Sequence, residues 1–194
     1  MTALMTGYVR VVDAVNYRIG RVMMWGLFVM MGILLWSSIS KTFFVPSLWT
    51  LEMAQFAMVT YYIMGGPYSL QMGSNVRMDL FYHNWNDRKK AWFDAFTVFF
   101  LLIYLGVLVW GGVGSTAYSL GYWGDAPFSY FWGLITGAEE VGRLERSSTA
   151  WRPYAWPIKS IMVVGFFLML LQAISELFKD IARIRGNEIG VTRA

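Results

Sequence analysis

Residues 49–79 read WTLEMAQFAMVTYYIMGGPYSLQMGSNVRMD. After Glu52 this stretch carries no charge until Arg77, a span of about two dozen residues and enough for one bilayer crossing. Gly65-Gly66-Pro67 sits near its middle, where it would end a helix in water. A membrane helix keeps such a break when neighbouring helices or side chains satisfy the freed backbone groups. The stretch leaves through a compact charged exit, Asn75-Val76-Arg77-Met78-Asp79. A polar entry, an apolar middle and a charged exit predict a kinked transmembrane helix.

The rest of the chain supports a membrane setting. Of 194 residues, 57% are hydrophobic and 14% charged, against roughly a quarter charged in soluble domains. Mean hydropathy is +0.45. Ten Trp, eleven Tyr and fourteen Phe suit aromatic belts at the two membrane faces. The net charge of +4 would suggest nucleic acid in a soluble domain, but here the basic residues flank apolar runs and read as orientation signals. With no Cys and one His, the sequence excludes disulfides, thiolate metal sites, iron–sulfur clusters and haem held between two of its own histidines. His83, in the polar run Tyr82-His83-Asn84, reads as a solvated loop histidine. No cofactor is expected.

Hydropathy predicts an all-α integral membrane protein with four transmembrane helices at about 22–44, 51–72, 95–120 and 158–178, forming a membrane domain over 22–178. Residues 1–21 recur in apolar character at Tyr8, Val11, Val12, Val15 and Ile19, predicting an amphipathic interfacial helix. The alternative, a cleaved signal peptide, fits poorly because the apolar run starts late and bulky residues follow it. Residues 121–157 form a long outer loop, in which Phe128 to Ile135 is apolar enough to dip into the interface. Glu139, Glu140, Arg143, Glu145 and Arg146 then form a mixed-charge patch with spacings suited to helical ion pairs, or a surface loop. Residues 179–194 are a polar tail.

Placing both termini in the cytoplasm puts eleven of the sixteen Lys and Arg residues inside, including Arg77, Arg88, Lys89 and Lys90. That asymmetry predicts a multi-pass protein with cytoplasmic termini. Arg77, Arg88, Lys89 and Lys90 are also candidates for lipid headgroups, at about 1 kcal/mol per charge. Gly65, Ser69 and Gly73 repeat at every fourth position, a stripe that admits a second helix closely. Gly111, Ser115 and Ser119 do the same in the third span. Glu52, Gln55 and Tyr62 form a polar strip that either meets a partner or an ion path, or else has Glu52 at the water interface and Tyr62 bonded within the bundle. Gln172, Glu176 and Lys179 share one face of the last helix, a candidate contact with another subunit.

Order and spacing of motifs resemble a known family. Glu52, Tyr61-Tyr62, Gly65, Pro67-Tyr68 and Leu70 are followed by Val76-Arg77-Met78-Asp79-Leu80-Phe81-Tyr82, then by Trp156-Pro157-Ile158-Lys159, Gly165-Phe166, Leu170-Leu171-Gln172 and Glu176. This pattern is similar to the small membrane subunit, the Q-type component, of tripartite ATP-independent periplasmic (TRAP) transporters. Val163 departs from it, standing where related sequences often carry proline. The resemblance implies a bacterial inner-membrane protein with two partners besides the phospholipid bilayer. One is a large TRAP membrane subunit that holds the substrate path and sodium sites. The other is a periplasmic substrate-binding protein that delivers an organic acid. It implies a non-catalytic bracing role, with Glu52, Tyr62, Gly65, Ser69, Gly73, Gln172 and Glu176 as candidate subunit contacts. The alternative is an accessory structural subunit of an electron-transfer or light-harvesting complex; an intramembrane enzyme would need an acid–base pair, nucleophile or metal at membrane depth, and none is seen.

Overall fold

The computed structural model describes residues 3–73 and 87–185. Among them the chain is helical, without strands: α1 (Ala3–Met23), α2 (Gly26–Phe43), α3 (Thr50–Gln71), α4 (Asp87–Ser119), α5 (Pro127–Thr136) and α6 (Trp156–Ile184). The exit motif around Arg77, together with His83, falls outside the described residues, as does the side chain of Arg88.

Three helical stretches are long and apolar enough to cross a membrane: Leu4–Phe43, Trp92–Ser119 and Trp156–Ile184. Helix α3 is not among them, its run being diluted by Glu52, Gln55, Thr60, two tyrosines, Gly65-Gly66-Pro67 and Ser69. It nonetheless lies beside α2 on one side and α6 on the other.

The Leu4–Phe43 stretch has 40 residues, about 60 Å of helix, twice the thickness of a hydrocarbon core. One straight rod cannot span with all of it. The chain tightens at its middle instead: Trp25 N–H bonds the Val22 carbonyl at 3.1 Å, an i→i−3 step, while Met24 N–H keeps the Gly20 carbonyl at 3.0 Å. Beyond this step α2 packs on α3, whereas α1 packs on α3 and α6.

The packing order is a row, α2–α3–α6–α4, with α1 laid against α3 and α6 and α5 against α4. Helix α6 is the centre, touching α1, α3 and α4. Away from α1, such a row is one helix thick. Only 22% of the most apolar window of α6, and 11% of that of α4, is buried. Most of the surface of α4 and α6 therefore remains available to lipid or protein.

Small residues set the approaches, as expected where lipid removes the hydrophobic drive between helices. On α6, a Cβ at Gly165 would overlap Ile63 Cγ2 and stand 3.2 Å from the Ile63 carbonyl oxygen of α3. Pro67 lacks the N–H that would bond this carbonyl, four residues earlier in the helix. The Gly-Gly-Pro break does not interrupt α3. It shapes the helix where α6 comes closest. Gly112 of α4 faces Val163 of α6, its Cβ position 3.0 Å from Val163 Cγ2. Residue 163 is thus a packing contact in an unbroken helix.

The turn between α2 and α3 is tied by hydroxyl groups. Thr50 Oγ1 donates to Ser37 Oγ at 3.2 Å, Ser47 Oγ donates to Thr50 Oγ1 at 3.1 Å, and Ser40 Oγ lies 3.1 Å from Ser47 Oγ. Ser40 and Thr50 are buried, so the hydroxyls satisfy one another where water is absent.

At the far end of α4, residues 137–155 are not helical, and the mixed-charge patch makes no helical ion pairs. Glu145 instead pairs with Lys159 of α6 at 2.6 Å, and Arg146 stacks on Tyr154, its guanidinium 4.5 Å from the ring centre. Gly121 (φ +91°) and Gly142 let two loop segments touch, with Gly142 N–H bonding the Leu120 carbonyl at 2.9 Å. Tyr130 of α5 stacks on Tyr122 with centroids 4.5 Å apart. Burial first, and then Glu139, push the Tyr130 phenol above its ordinary pKa.

Candidate subunit interface and the polar lock behind it

The polar side chains at the C-terminal end of α6 close onto α1. Lys179 Nζ lies 2.7 Å from Asp13 Oδ2 and 2.7 Å from Glu176 Oε1. Gln172 Nε2 donates to Asp13 Oδ1 and to Glu176 Oε1, each at 3.0 Å, and its Oε1 accepts from Asn16 Nδ2 at 2.7 Å. Ser175 Oγ adds a bond to Asp13 Oδ1 at 3.0 Å. Gln71 of α3 donates to the Asp13 backbone carbonyl at 3.2 Å, and Tyr8 OH donates to the Leu171 carbonyl at 3.1 Å. Three helices are thereby joined at one aspartate.

This lock is dry. Asn16, Gln172 and Ser175 are 0–1% exposed and Lys179 is 5% exposed. Gln172 uses its whole amide within the chain. The two carboxyl groups, Asp13 and Glu176, share one ammonium, an arrangement that holds only while all three are present. Of the face expected to meet another subunit, Gln172 and Lys179 are turned inward onto α1, and Glu176 is half-buried beside them. Sequence reading missed Asp13, Asn16 and Ser175. The available signal was Asp13 itself, the lone acid among the three arginines of its helix.

The α1 face also differs from the apolar set read from the sequence. Val9, Val12, Asn16 and Gly20 point inward, while Val11 and Val15 point outward, 63% and 40% exposed. The reason is the polar inner end of α6, which selects the side of α1 that carries Asp13 and Asn16.

The α3 stripe divides in two. Nothing lies within 4 Å of a Cβ built on Gly65, and the position is an ordinary helical one. Ser69 is half-buried. Gly73 lies past the end of α3 at φ +62°, so its glycine serves the backbone as well as any neighbour. The adjacent Gly66 faces inward, towards Met169. Tyr62 is 61% exposed and Gln55 exposed, whereas Glu52 is 5% exposed. The expected strip of Glu52, Gln55 and Tyr62 is therefore not one surface. Glu52 Oε2 is buried with no hydrogen-bond partner among the described residues. Lys89 is exposed and Lys90 half-buried at the start of α4. Among the described residues no cluster of His, Cys, Asp and Glu could hold a metal ion.

Residues 30–183 match the family of the DctQ component of tripartite ATP-independent periplasmic transporters. The chain belongs to the DctQ family. The match runs from within α2 to the last turn of α6, covering the whole row of helices. It makes the protein the small membrane subunit of a TRAP transporter. No curated protein and no solved structure matches the chain. DctQ proteins are components of three-part systems. Membership leaves the electron-transfer and light-harvesting alternative without support.

Proposed function

We propose that this DctQ chain is the non-catalytic brace of a sodium-coupled TRAP transporter for organic acids. It holds the large permease subunit in the inner membrane while a periplasmic binding protein delivers substrate. One observation carries the reading: the helices form a single open layer whose middle portions bear no charged residue. From Ile33 to Ser40, Met53 to Gln71, Ala95 to Ser119 and Ser160 to Ser175 there is no Asp, Glu, Lys or Arg. Ion and substrate paths through membranes are marked by such residues. A layer without them has surface to offer and no path of its own. The apolar exposed edges of α2 and α4 and the open stripe of α3 suit contact with a larger membrane body.

In this reading α3 crosses the bilayer as the second of four spans, with both termini cytoplasmic and residues 121–157 outside. Tyr62, Gly65, Ser69 and Gly73 lie towards the partner, Glu52 is buried within the chain, and Glu176 and Gln172 act from behind by holding α1. Arg77, Arg88, Lys89 and Lys90 border the cytoplasmic headgroups. A reporter fused after Ala194 should be active only when made for the cytoplasm; periplasmic activity overturns the topology.

Gly65→Leu tests the interface, because nothing in this chain lies within 4 Å of a Cβ at that position. A crowded helix contact costs about 1–3 kcal/mol, so recovery of the large subunit on affinity-tagged Gly65→Leu protein should fall roughly tenfold or more. Equal recovery removes the stripe from the interface. Substrate uptake by vesicles holding all three components should require a sodium gradient and this chain; uptake without either rejects the corresponding part of the proposal.

A further inference from the structure

Helix α1 has a second side that the lock does not use. Its exposed positions include Arg10, Val11, Val15, Arg18, Arg21 and Val22. Three of these are arginines and three are valines. The helix has one acid, Asp13, which is turned inward onto Lys179, so the outward face presents positive charge alone. Arg10, Arg18 and Arg21 span eleven residues, about 16 Å along the helix. The Tyr17 ring lies under Arg21, 5.6 Å from its guanidinium carbon, and Trp25, 68% exposed, closes the end of the face.

A water-facing helix surface would not alternate arginine with Val, and a face set in hydrocarbon would not hold three arginines. The combination fits the headgroup layer, where apolar side chains reach the acyl boundary and cations meet phosphate. Tyr and Trp at one end fit the same depth. The lock fixes the rotation of α1, so the arginines cannot turn inward. We propose that the outward face of α1 is a binding surface for anionic phospholipid, with Arg10, Arg18 and Arg21 on the headgroup phosphates and Val11, Val15 and Val22 among the upper acyl chains. The proposal does not rest on the transporter reading. Its physical source is charge complementarity on a helix held in place by α3 and α6.

The chain has no cysteine, so Ala14→Cys gives one reporter, flanked four residues away on each side by Arg10 and Arg18. The full-length variant is placed in vesicles of phosphatidylcholine alone or mixed with phosphatidylglycerol, and its labelling rate by a water-soluble maleimide is measured. Each arginine at an anionic surface is worth roughly fivefold, so phosphatidylglycerol should slow labelling on the order of tenfold or more. Replacing all three arginines by glutamine should abolish the slowing, and replacing all three by lysine should retain most of it. The same rate in both lipids overturns the proposal. So does slowing that survives the glutamine variant, or that is lost in the lysine variant. Protection of the reporter thiol by added large subunit, whatever the lipid, gives this face to a protein partner and likewise overturns it.

Discussion

Lys179→Met should destabilise the protein by about 3–5 kcal/mol, the cost of removing one member of a buried ionic group. Lys179 is the cation for both Asp13 and Glu176, and its side chain is 6% exposed. Without it two carboxyl groups remain close together, both already bonded to Gln172. Release of α1 is the cheapest relief. Thermal unfolding in detergent should begin at markedly lower temperature, and the thiol of an added Val12→Cys, on the buried side of α1, should become reactive. Adding Asp13→Asn and Glu176→Gln to Lys179→Met removes the stranded charges and should recover most of the stability, as neutral replacements of buried ion pairs often do. If Lys179→Met unfolds like the parent and the thiol of Val12→Cys stays protected, the lock does not hold α1.

A second large effect is expected at Gly165. Alanine there drives its Cβ into Ile63 Cγ2 and places it 3.2 Å from the Ile63 carbonyl oxygen. Neither atom lies at the end of a flexible chain, so α3 and α6 must separate. Overpacking of this kind costs about 1–3 kcal/mol. Gly66→Ala, on the opposite side of the same contact, meets the terminal methyl of Met169. Met169 can rotate away, so the cost should stay below about 1 kcal/mol. Comparing the two unfolding midpoints tests the α3–α6 approach with one methyl group each. Equal midpoints would place the close approach elsewhere.

These sites show what the sequence could and could not say. Long apolar runs between charges were visible, so helices stand at 26–43, 87–119 and 156–184 where such runs lie, while 50–71 is helical without being apolar enough to count as a span by hydropathy. Which glycines are used was not visible. Gly65 and Gly165 look alike in sequence, yet one is open and the other sits against Ile63. Small residues permit approach without specifying the partner. Which side of α1 faces the other helices was not visible for a related reason. Apolar periodicity separates core from water, but a helix with lipid on its outer side is apolar there too. The pairing of Glu176 with Lys179 was legible because it is local. Their shared partner, Asp13, lies at the other end of the chain, beyond any local pattern.

That distance has a consequence for synthesis. Tyr8 meets Leu171 and Asp13 meets Ser175, contacts 163 and 162 residues apart. Chains emerge N-terminus first, so α1 is made well before its fastener. Until α6 has left the ribosome and entered the bilayer, Asp13 and Asn16 lack the partners that α6 supplies. A chain cut before α6 lacks Gln172, Ser175 and Lys179, the side chains that bond the Asp13 carboxylate. The lock on α1 can therefore close only after α6 has been made and inserted.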